Sequence, residues 1–323
     1  MKRFVYMLLA VLILTAVACT HKELCYDHGH YVNLEVRFDW SNAPEAEPET
    51  MSFYIFSENG RKPERYELLG HNGGVIKLNV GRYHAICLNS DTKNIECRDK
   101  ESLSTFLITT KDDDGYAGLL GAEQLFAELV PQGDGPNRAE NGERIAREPE
   151  QVWIGSVHDF EVTQEGENIV TMSPVERVVT IRIIIRNVQN IRNISSLAAT
   201  ISGLSEGVLG SSGECNGVPV THPLIFSPMD ETTIGATLRS FGDCRNGDEE
   251  HHITLYMGLV DGSHWKYNAN VTEQVHSAED KALIEIVLDE LPVPEVDPGF
   301  TGDGGGFSPT IEEWTSVNIG LTM

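Results

Sequence analysis

The chain has 323 residues and carries 24 lysines and arginines against 49 aspartates and glutamates, a formal net charge of −25 at pH 7. That length accommodates two domains of ordinary size. The acidity excludes nucleic acid as a partner, because phosphates require a basic surface. It also keeps the body of the protein away from anionic membrane surfaces.

The chain begins with the pattern of a bacterial lipoprotein precursor. A charged MKR start precedes an apolar run over residues 4–14, which is too short to span a bilayer but suits a signal-peptide core. The small residues Ala-Val-Ala then lead into Cys19, and this order resembles a lipobox. We therefore expect a signal peptide over residues 1–18 and acylation of Cys19, including palmitate. The alternative is that Cys19 is an ordinary thiol behind a signal peptide.

Residues 19–30 are expected to form a lipidated tether. Its Cys25, His28 and His30 could in principle bind a metal, but histidines clustered in an exposed lead-in segment are more often solvated. The lipid on Cys19 would hold the mature protein on the outer membrane without crossing it. Each buried methylene contributes roughly 0.8 kcal/mol, so several acyl chains anchor firmly.

The first domain is expected over residues 31–172, where apolar and polar residues alternate with the period of half-buried strands. Residues 75–89 are the clearest case, and they predict two strands joined at Gly81-Arg82 as a hairpin. An amphipathic pattern predicts one short helix over 118–130. The polar segment 132–150 is predicted to be an exposed loop. Further strands are predicted over 31–38, 51–56, 103–109, 153–154, 159–162 and 169–172.

The second domain is expected over residues 173–323, with the boundary at Ser173-Pro174. Residues 177–185 are strongly β-branched and predict a central strand. Short strands at regular intervals with little helix are typical of antiparallel sandwiches, so the fold class is all-β, with two tandem antiparallel β-sandwich domains. Further strands are predicted over 197–201, 224–226, 234–241, 253–259, 283–288 and 317–321.

The cysteines suggest one cross-link. Cys215 and Cys244 lie in similar polar loops with glycines, and they could form a disulfide outside the cytoplasm. Cys87 lies in a predicted strand and reads as a small core residue. None of the cysteines has zinc-ligand spacing.

Four local motifs invite a chemical interpretation, and each fails on its context. Residues 203–207 match G-x-S-x-G, but a nucleophile elbow needs a following helix, and residues 208–217 predict a loop. The acids at 112–114 are adjacent rather than alternating as in a calcium loop. The glycines at 302–306 lack the Lys-Ser/Thr of a phosphate loop. His251 and His252 open a strand and should point in opposite directions, which makes a poor chelate.

Several stretches resemble an uncharacterised family of Bacteroidetes surface lipoproteins that is grouped with the fimbrillin-like proteins. The resemblance covers nearly all of the mature chain and implies two transthyretin-like β-sandwich domains, a lipidated precursor and a relation to fimbrial shaft, anchor and tip subunits. The stretches are CYDHGHYVNLEVRFDW, VGRY at 80–83, NSDT at 89–92, IRNVQNIRNISSLAATISGLSEG, TIGATLRSFG, VTEQV at 271–275 and GGGFSPTIEEW.

The same resemblance suggests which fimbrial role to expect. Fimbrillins assemble by strand exchange after an arginine-specific protease removes their first strand. In this chain the first predicted strand starts soon after Cys19, and its only arginine is Arg37. An anchor or accessory subunit therefore fits better than a polymerising shaft subunit.

The leading hypothesis is a surface-anchored fimbrial anchor, accessory subunit or adhesin, associated with other fimbrial subunits by strand complementation. The alternative is a surface lipoprotein that binds glycan or a host protein, with Trp40, Trp265 or Trp314 stacking on sugars, although such residues are more often half-buried. We expect no catalytic residues, no cofactor and no metal site.

Overall fold

The computed structural model describes residues 31–112, 137–243, 249–296 and 315–319. Some predictions fall on other parts of the chain. The following lie outside the described residues: the signal peptide, Cys19, the tether with Cys25, His28 and His30, the helix over 118–130, Cys244, the glycines at 302–306 and Trp314.

The first half of the chain consists of β-strands, most of which form two facing sheets. The strands are β1 (Tyr31–Phe38), β2 (Thr50–Ser57), β3 (Glu64–Leu69), β4 (Gly73–Asn79), β5 (Gly81–Asn89), β6 (Ile95–Arg98), β7 (Leu107–Thr110), β8 (Arg144–Ile145), β9 (Trp153–Val162), β10 (Ile169–Met172) and β11 (Val175–Glu176). A five-stranded sheet has the order β11-β9-β5-β2-β3, and a three-stranded sheet has the order β10-β1-β4.

The alternation read from the sequence determines which side chains fill the space between these sheets. Leu34 and Val36 of β1 are buried against Phe53 and Ile55 of β2, and their neighbours along each strand point away. This is the arrangement of a β-sandwich, in which the inner faces of two sheets supply the core.

The predicted hairpin over residues 75–89 is wrong in its pairing, although both strands exist. β4 pairs with β1, whereas β5 pairs with β2 and β9, so the two strands belong to opposite sheets. Leu78 and Tyr83 lie in one core, which they enter from opposite sides. Alternation reports which face of a strand is buried, and it does not report which strand lies beside it.

The second half contains a four-stranded sheet, in the order β16-β17-β12-β20, and a six-stranded sheet, in the order β21-β19-β18-β13-β15-β8. The predicted strand over 177–185 is observed as β12 and is central, between β17 and β20. The elements are β12 (Val179–Ile185), β13 (Ile194–Ser205), β14 (Gly207–Leu209), β15 (Pro219–Leu224), β16 (Ser227–Pro228), β17 (Ile234–Ser240), β18 (His252–Leu259), β19 (His264–Asn270), α1 (Thr272–Ser277), β20 (Leu283–Leu288) and β21 (Thr315–Ile319).

The prediction of an all-β fold is confirmed, with α1 as a short helix among the strands. The three-stranded sheet β10-β1-β4 and the four- and six-stranded sheets are mixed, because β12–β20, β15–β8, β1–β10 and β19–β21 pair in parallel. The five-stranded sheet is antiparallel, as predicted. Across the described ranges no helix has the length and apolar character that a membrane crossing requires.

Strands also connect the two halves of the chain. β8 adds to the six-stranded sheet through β15, and a three-stranded sheet combines β6 and β7 with β14. The exposed loop predicted over 132–150 is therefore wrong from residue 137 onward, since Ile145 and Ala146 are buried. The domain boundary at Ser173-Pro174 stays a prediction.

Candidate functional site: the terminal strand and the links between the halves

The C-terminal strand β21 forms one edge of the six-stranded sheet. It pairs in parallel with β19, from Trp265 opposite Thr315 to Ala269 opposite Ile319. Val317 is half-buried and packs against the core of the second half. Within the described strands, β21 has no partner on its other side, so its outer main-chain groups are available to a further strand.

Two edge strands of the other sheets differ from β21 in character. β3 carries Glu64, Arg65 and Glu67, and β4 carries Lys77, so charged side chains mark both of these edges. Charges on an edge strand discourage pairing with another chain. β21, with the sequence TSVNI, carries no charge. β21 therefore lacks the charges that discourage pairing at the edges formed by β3 and β4.

A partly buried charge network joins the two halves. Arg144 of β8 places Nη2 3.2 Å from Oε2 of Glu206 and Nη1 2.9 Å from Oδ1 of Asp112. Asn216 donates a hydrogen bond of 2.6 Å to the other oxygen of Glu206, and Arg98 lies 3.6 Å from the carboxylate. Each charge has an opposite partner, so the network links segments that are far apart in sequence. Asp112, one of the acids considered above as calcium ligands, is paired with Arg144 in this network.

The G-x-S-x-G motif has a structural role. Ser205 is completely buried at the end of β13, and its hydroxyl donates to the carbonyl of Gly207 at 2.7 Å. β14 follows it, where a nucleophile elbow would have a helix. At Gly207 a Cβ would lie 2.2 Å from the carbonyl oxygen of Ile108, so the glycine permits the close pairing of β14 with β7. A serine in this position cannot reach a substrate.

The tryptophans proposed as sugar platforms are held by neighbouring groups. Trp40 donates to the carbonyl of His71 at 2.7 Å and meets Trp153 edge-on. Trp265 donates to the hydroxyl of Ser263 at 3.2 Å and stacks beside Tyr267. Both are half-buried, as expected for core or edge residues.

Two of the described cysteines, Cys87 and Cys97, are not activated nucleophiles. Burial raises the pKa of Cys87 to about 12, and burial raises the pKa of Cys97 to about 11. Thiols of this kind stay protonated and react slowly. Cys215 has its sulfur 3.5 Å from the carbonyl oxygen of Asp243, the residue that precedes Cys244. The disulfide between Cys215 and Cys244 stays a prediction.

The two predicted histidine directions are observed. The ring of His252 faces Glu250, with Nε2 2.9 Å from the carboxylate, whereas the ring of His251 faces Asp243. The two residues do not chelate together. The rings of His251 and His276 also lie edge to face. The sequence does not predict this contact, because the two residues are distant in the chain.

These features define an all-β protein of the sandwich class, with an uncharged edge strand at its C-terminal end and buried polar residues that serve the fold. The chain belongs to the family described as a domain of unknown function, DUF5119, whose model matches residues 18–224. The recognised resemblance to fimbrial relatives in Bacteroidetes is confirmed.

Two kinds of relative accompany this family match. A protein of Bacteroides ovatus named as a fimbrium anchoring subunit, Fim4B, is 21% identical over 97% of this chain and 96% of its own. A crystal structure from Bacteroides ovatus described as an adhesin has a TM-score of 0.61 at 16% identity, covering 85% of this chain and 98% of that chain. The fimbrial anchor protein Mfa2 of Porphyromonas gingivalis has a TM-score of 0.49 at 11% identity, over 80% of this chain and 89% of that chain.

Proposed function

We propose that this chain is a fimbrial anchoring or accessory subunit at the cell surface, held in the outer membrane by lipid on Cys19. The observation that carries the proposal is the match to a fimbrium anchoring subunit, which extends over 97% of this chain and 96% of the relative. A match of that extent covers nearly the full length of both chains rather than one shared module. The fold shared with an adhesin is consistent with the same role.

The lipid anchor rests on the order of features at the start of the chain. A charged start, an apolar run of signal-peptide length and small residues lead directly to Cys19. A protein anchored in this way needs no membrane-spanning segment, since the acyl chains supply the hydrophobic contact.

Strand complementation is the proposed mode of contact with other subunits. The outer edge of β21 has unpaired main-chain groups within the described strands and no charged side chain. A strand from a neighbouring subunit could extend the sheet there, with main-chain hydrogen bonds supplying affinity. Alternatively β21 could leave its place beside β19 and complete the sheet of a neighbour.

The position of Ser205, the candidate nucleophile, supports a structural role without catalysis. Ser205 is buried and bonded to the main chain, and the motif around it serves close strand packing. The two similar proteins from Bacteroides ovatus also have names that describe anchoring and adhesion.

The experiment that tests the proposal is isolation of the full-length, epitope-tagged protein from its native membrane after mild cross-linking. We expect fimbrial subunits among the cross-linked products identified by mass spectrometry. A tagged lipoprotein with an unrelated sequence provides the control. Recovery of glycan-transport components without any fimbrial subunit would instead support the alternative, a surface glycan-binding lipoprotein.

A further inference from the structure

Three residues away from the edge strand β21 have potential metal-ligand atoms that lie close together. Asp243 follows β17, His251 immediately precedes β18, and His276 lies in the last turn of α1. His251 Nε2 is 3.2 Å from Asp243 Oδ1, and His276 Nε2 is 3.6 Å from the same oxygen. All three ligand atoms lie within 4.8 Å of one another.

The two separations that end at Asp243 Oδ1 match the spacing that a single small cation imposes. Zinc binds imidazole nitrogen at about 2.0–2.1 Å and carboxylate oxygen at about 2.0–2.2 Å, in tetrahedral geometry. Two ligand atoms on one tetrahedral zinc are therefore about 3.3–3.5 Å apart. The observed 3.2 and 3.6 Å lie on either side of that value.

The hydrogen bonds of His251 leave a lone pair facing Asp243. Its Nδ1 is 3.3 Å from the carbonyl oxygen of Ser202, which can only accept, so Nδ1 carries the proton. In the neutral ring Nε2 then has a lone pair, and it faces a carboxylate oxygen that also has only lone pairs. The contact is favourable only if a cation lies between the two atoms or the ring carries a second proton.

The Nδ1 contact is also the arrangement that zinc-binding histidines normally have. A ligating imidazole donates its second N–H to a backbone carbonyl or carboxylate, which fixes the tautomer and the direction of the ring. His251 is completely buried, so its ring cannot turn away into solvent.

The surrounding backbone is built to hold these side chains in place. Gly203 has φ +82°, and a Cβ there would lie 2.9 Å from His251 Nδ1 and 2.5 Å from the carbonyl oxygen of Glu250, so only glycine leaves room for the ring. Asp243 is fixed by a bridge to Leu204.

The element that carries His276 is fixed as well. Gln274 of α1 exchanges two hydrogen bonds with the main chain of Val287 on β20, of 2.8 and 2.9 Å. At its N-terminal end, the hydroxyl of Thr272 accepts a bond of 2.8 Å from the main-chain N–H of His251. The helix and the start of β18 are therefore linked directly.

We propose that Asp243, His251 and His276 form a binding site for a divalent transition-metal ion, with zinc as the best fit. Two imidazoles and one carboxylate suit zinc and not magnesium or calcium, which prefer oxygen ligands. The side chain of His276 is 34% exposed, so an ion can reach the three ligand atoms from solvent on that side. The ion would tie together the end of β17, the start of β18 and α1, and it would strengthen the second half of the chain.

The test uses the detergent-solubilised full-length chain, treated with a chelator and then titrated with zinc alone. We expect binding of one zinc per chain in calorimetry at this site. At a zinc concentration about 100 times the dissociation constant, the melting temperature should rise by about 5–10 °C, whereas magnesium and calcium should leave it unchanged.

His276→Ala is the main variant, because its partly exposed ring can be removed without opening the core. It should weaken zinc binding at this site at least about tenfold and remove the zinc-dependent rise in melting temperature. Asp243→Asn should have the same effect. His252→Ala is the matched control, since this neighbouring histidine faces Glu250, and it should bind zinc as the wild type does.

Three results would overturn the proposal. The first is a wild-type chain whose melting temperature does not respond to zinc. The second is zinc binding that His276→Ala leaves unchanged, which would place the ion elsewhere in the chain. The third is a nitrogen NMR spectrum in which both ring nitrogens of His251 carry protons at saturating zinc, which would show an ion pair with Asp243 in place of a metal.

Discussion

We expect Arg144→Ala to lower the free energy of unfolding, by an amount that can be estimated from the charges around Arg144. The side chain of Arg144 is 11% exposed and that of Glu206 is 9% exposed, so the pair is largely shielded from water. The guanidinium also donates to the carbonyl of Thr110 at 3.1 Å and to the hydroxyl of Thr109 at 3.2 Å. Truncation to alanine removes all of these bonds and leaves the buried carboxylate of Glu206 without its nearest cation.

The expected cost follows from which partners of Glu206 remain. Breaking a buried ion pair by removing one partner costs about 3–5 kcal/mol. Asn216 still donates to Glu206 in the variant, and Arg98 remains 3.6 Å away, so we expect the lower end, about 3 kcal/mol. Arg98→Ala is the matched control. Its side chain is 38% exposed, and pairs of that kind contribute about 0.2–1 kcal/mol.

Thermal unfolding followed by circular dichroism measures both variants. A loss of 3 kcal/mol lowers the melting temperature by about 6–12 °C, and the control should lower it by no more than about 4 °C. Urea unfolding of the same proteins provides a second measure of the free energy. Equal, small shifts for Arg144→Ala and Arg98→Ala would refute the view that this buried pair links the two halves.

Two further predictions concern His222 and the cysteines. Burial, with the nearby Arg144 charge as a smaller cause, lowers the pKa of His222 to about 3. As pH falls, His222 is therefore protonated near pH 6.5 in the unfolded chain but stays neutral in the folded chain. The free energy of unfolding should then decrease by about 2 kcal/mol between pH 7 and pH 5. His222→Gln should lose this part of the pH slope in urea unfolding, and an unchanged slope would contradict the assignment. We also propose that Cys215 and Cys244 form a disulfide in the exported protein. Non-reducing peptide mapping should recover the linked pair, and alkylation of both thiols before reduction would contradict it.

The sequence predicts the strands of this protein well because burial on one face leaves a direct trace in residue order. The predicted strand over 169–172 and the one over 283–288 coincide with β10 and β20. The pattern carries less information about pairing. It therefore predicts one hairpin around Gly81, although the two strands lie in opposite sheets.

Long-range contacts explain what the sequence could not reveal. Asp243, His251 and His276 approach one another only because β18 and α1 fold back beside the end of β17. The adjacent residues His251 and His252 are the only part of this cluster's surroundings that stands out in the sequence. They predict two rings that point in opposite directions. The burial of Arg144 was missed for the same reason, since its segment is polar and acquires its partners from β13–β15 and β7.

The central claim, a fimbrial subunit anchored by lipid on Cys19, is tested most directly by Cys19→Ala in the native bacterium. The measurement is the distribution of this protein and of fimbrial subunits between the washed membrane fraction and the culture medium. We expect the variant to leave the membrane fraction and fimbriae to appear in the medium. Retention of the variant in the membrane after a high-salt wash, with fimbriae still attached to cells, would contradict it.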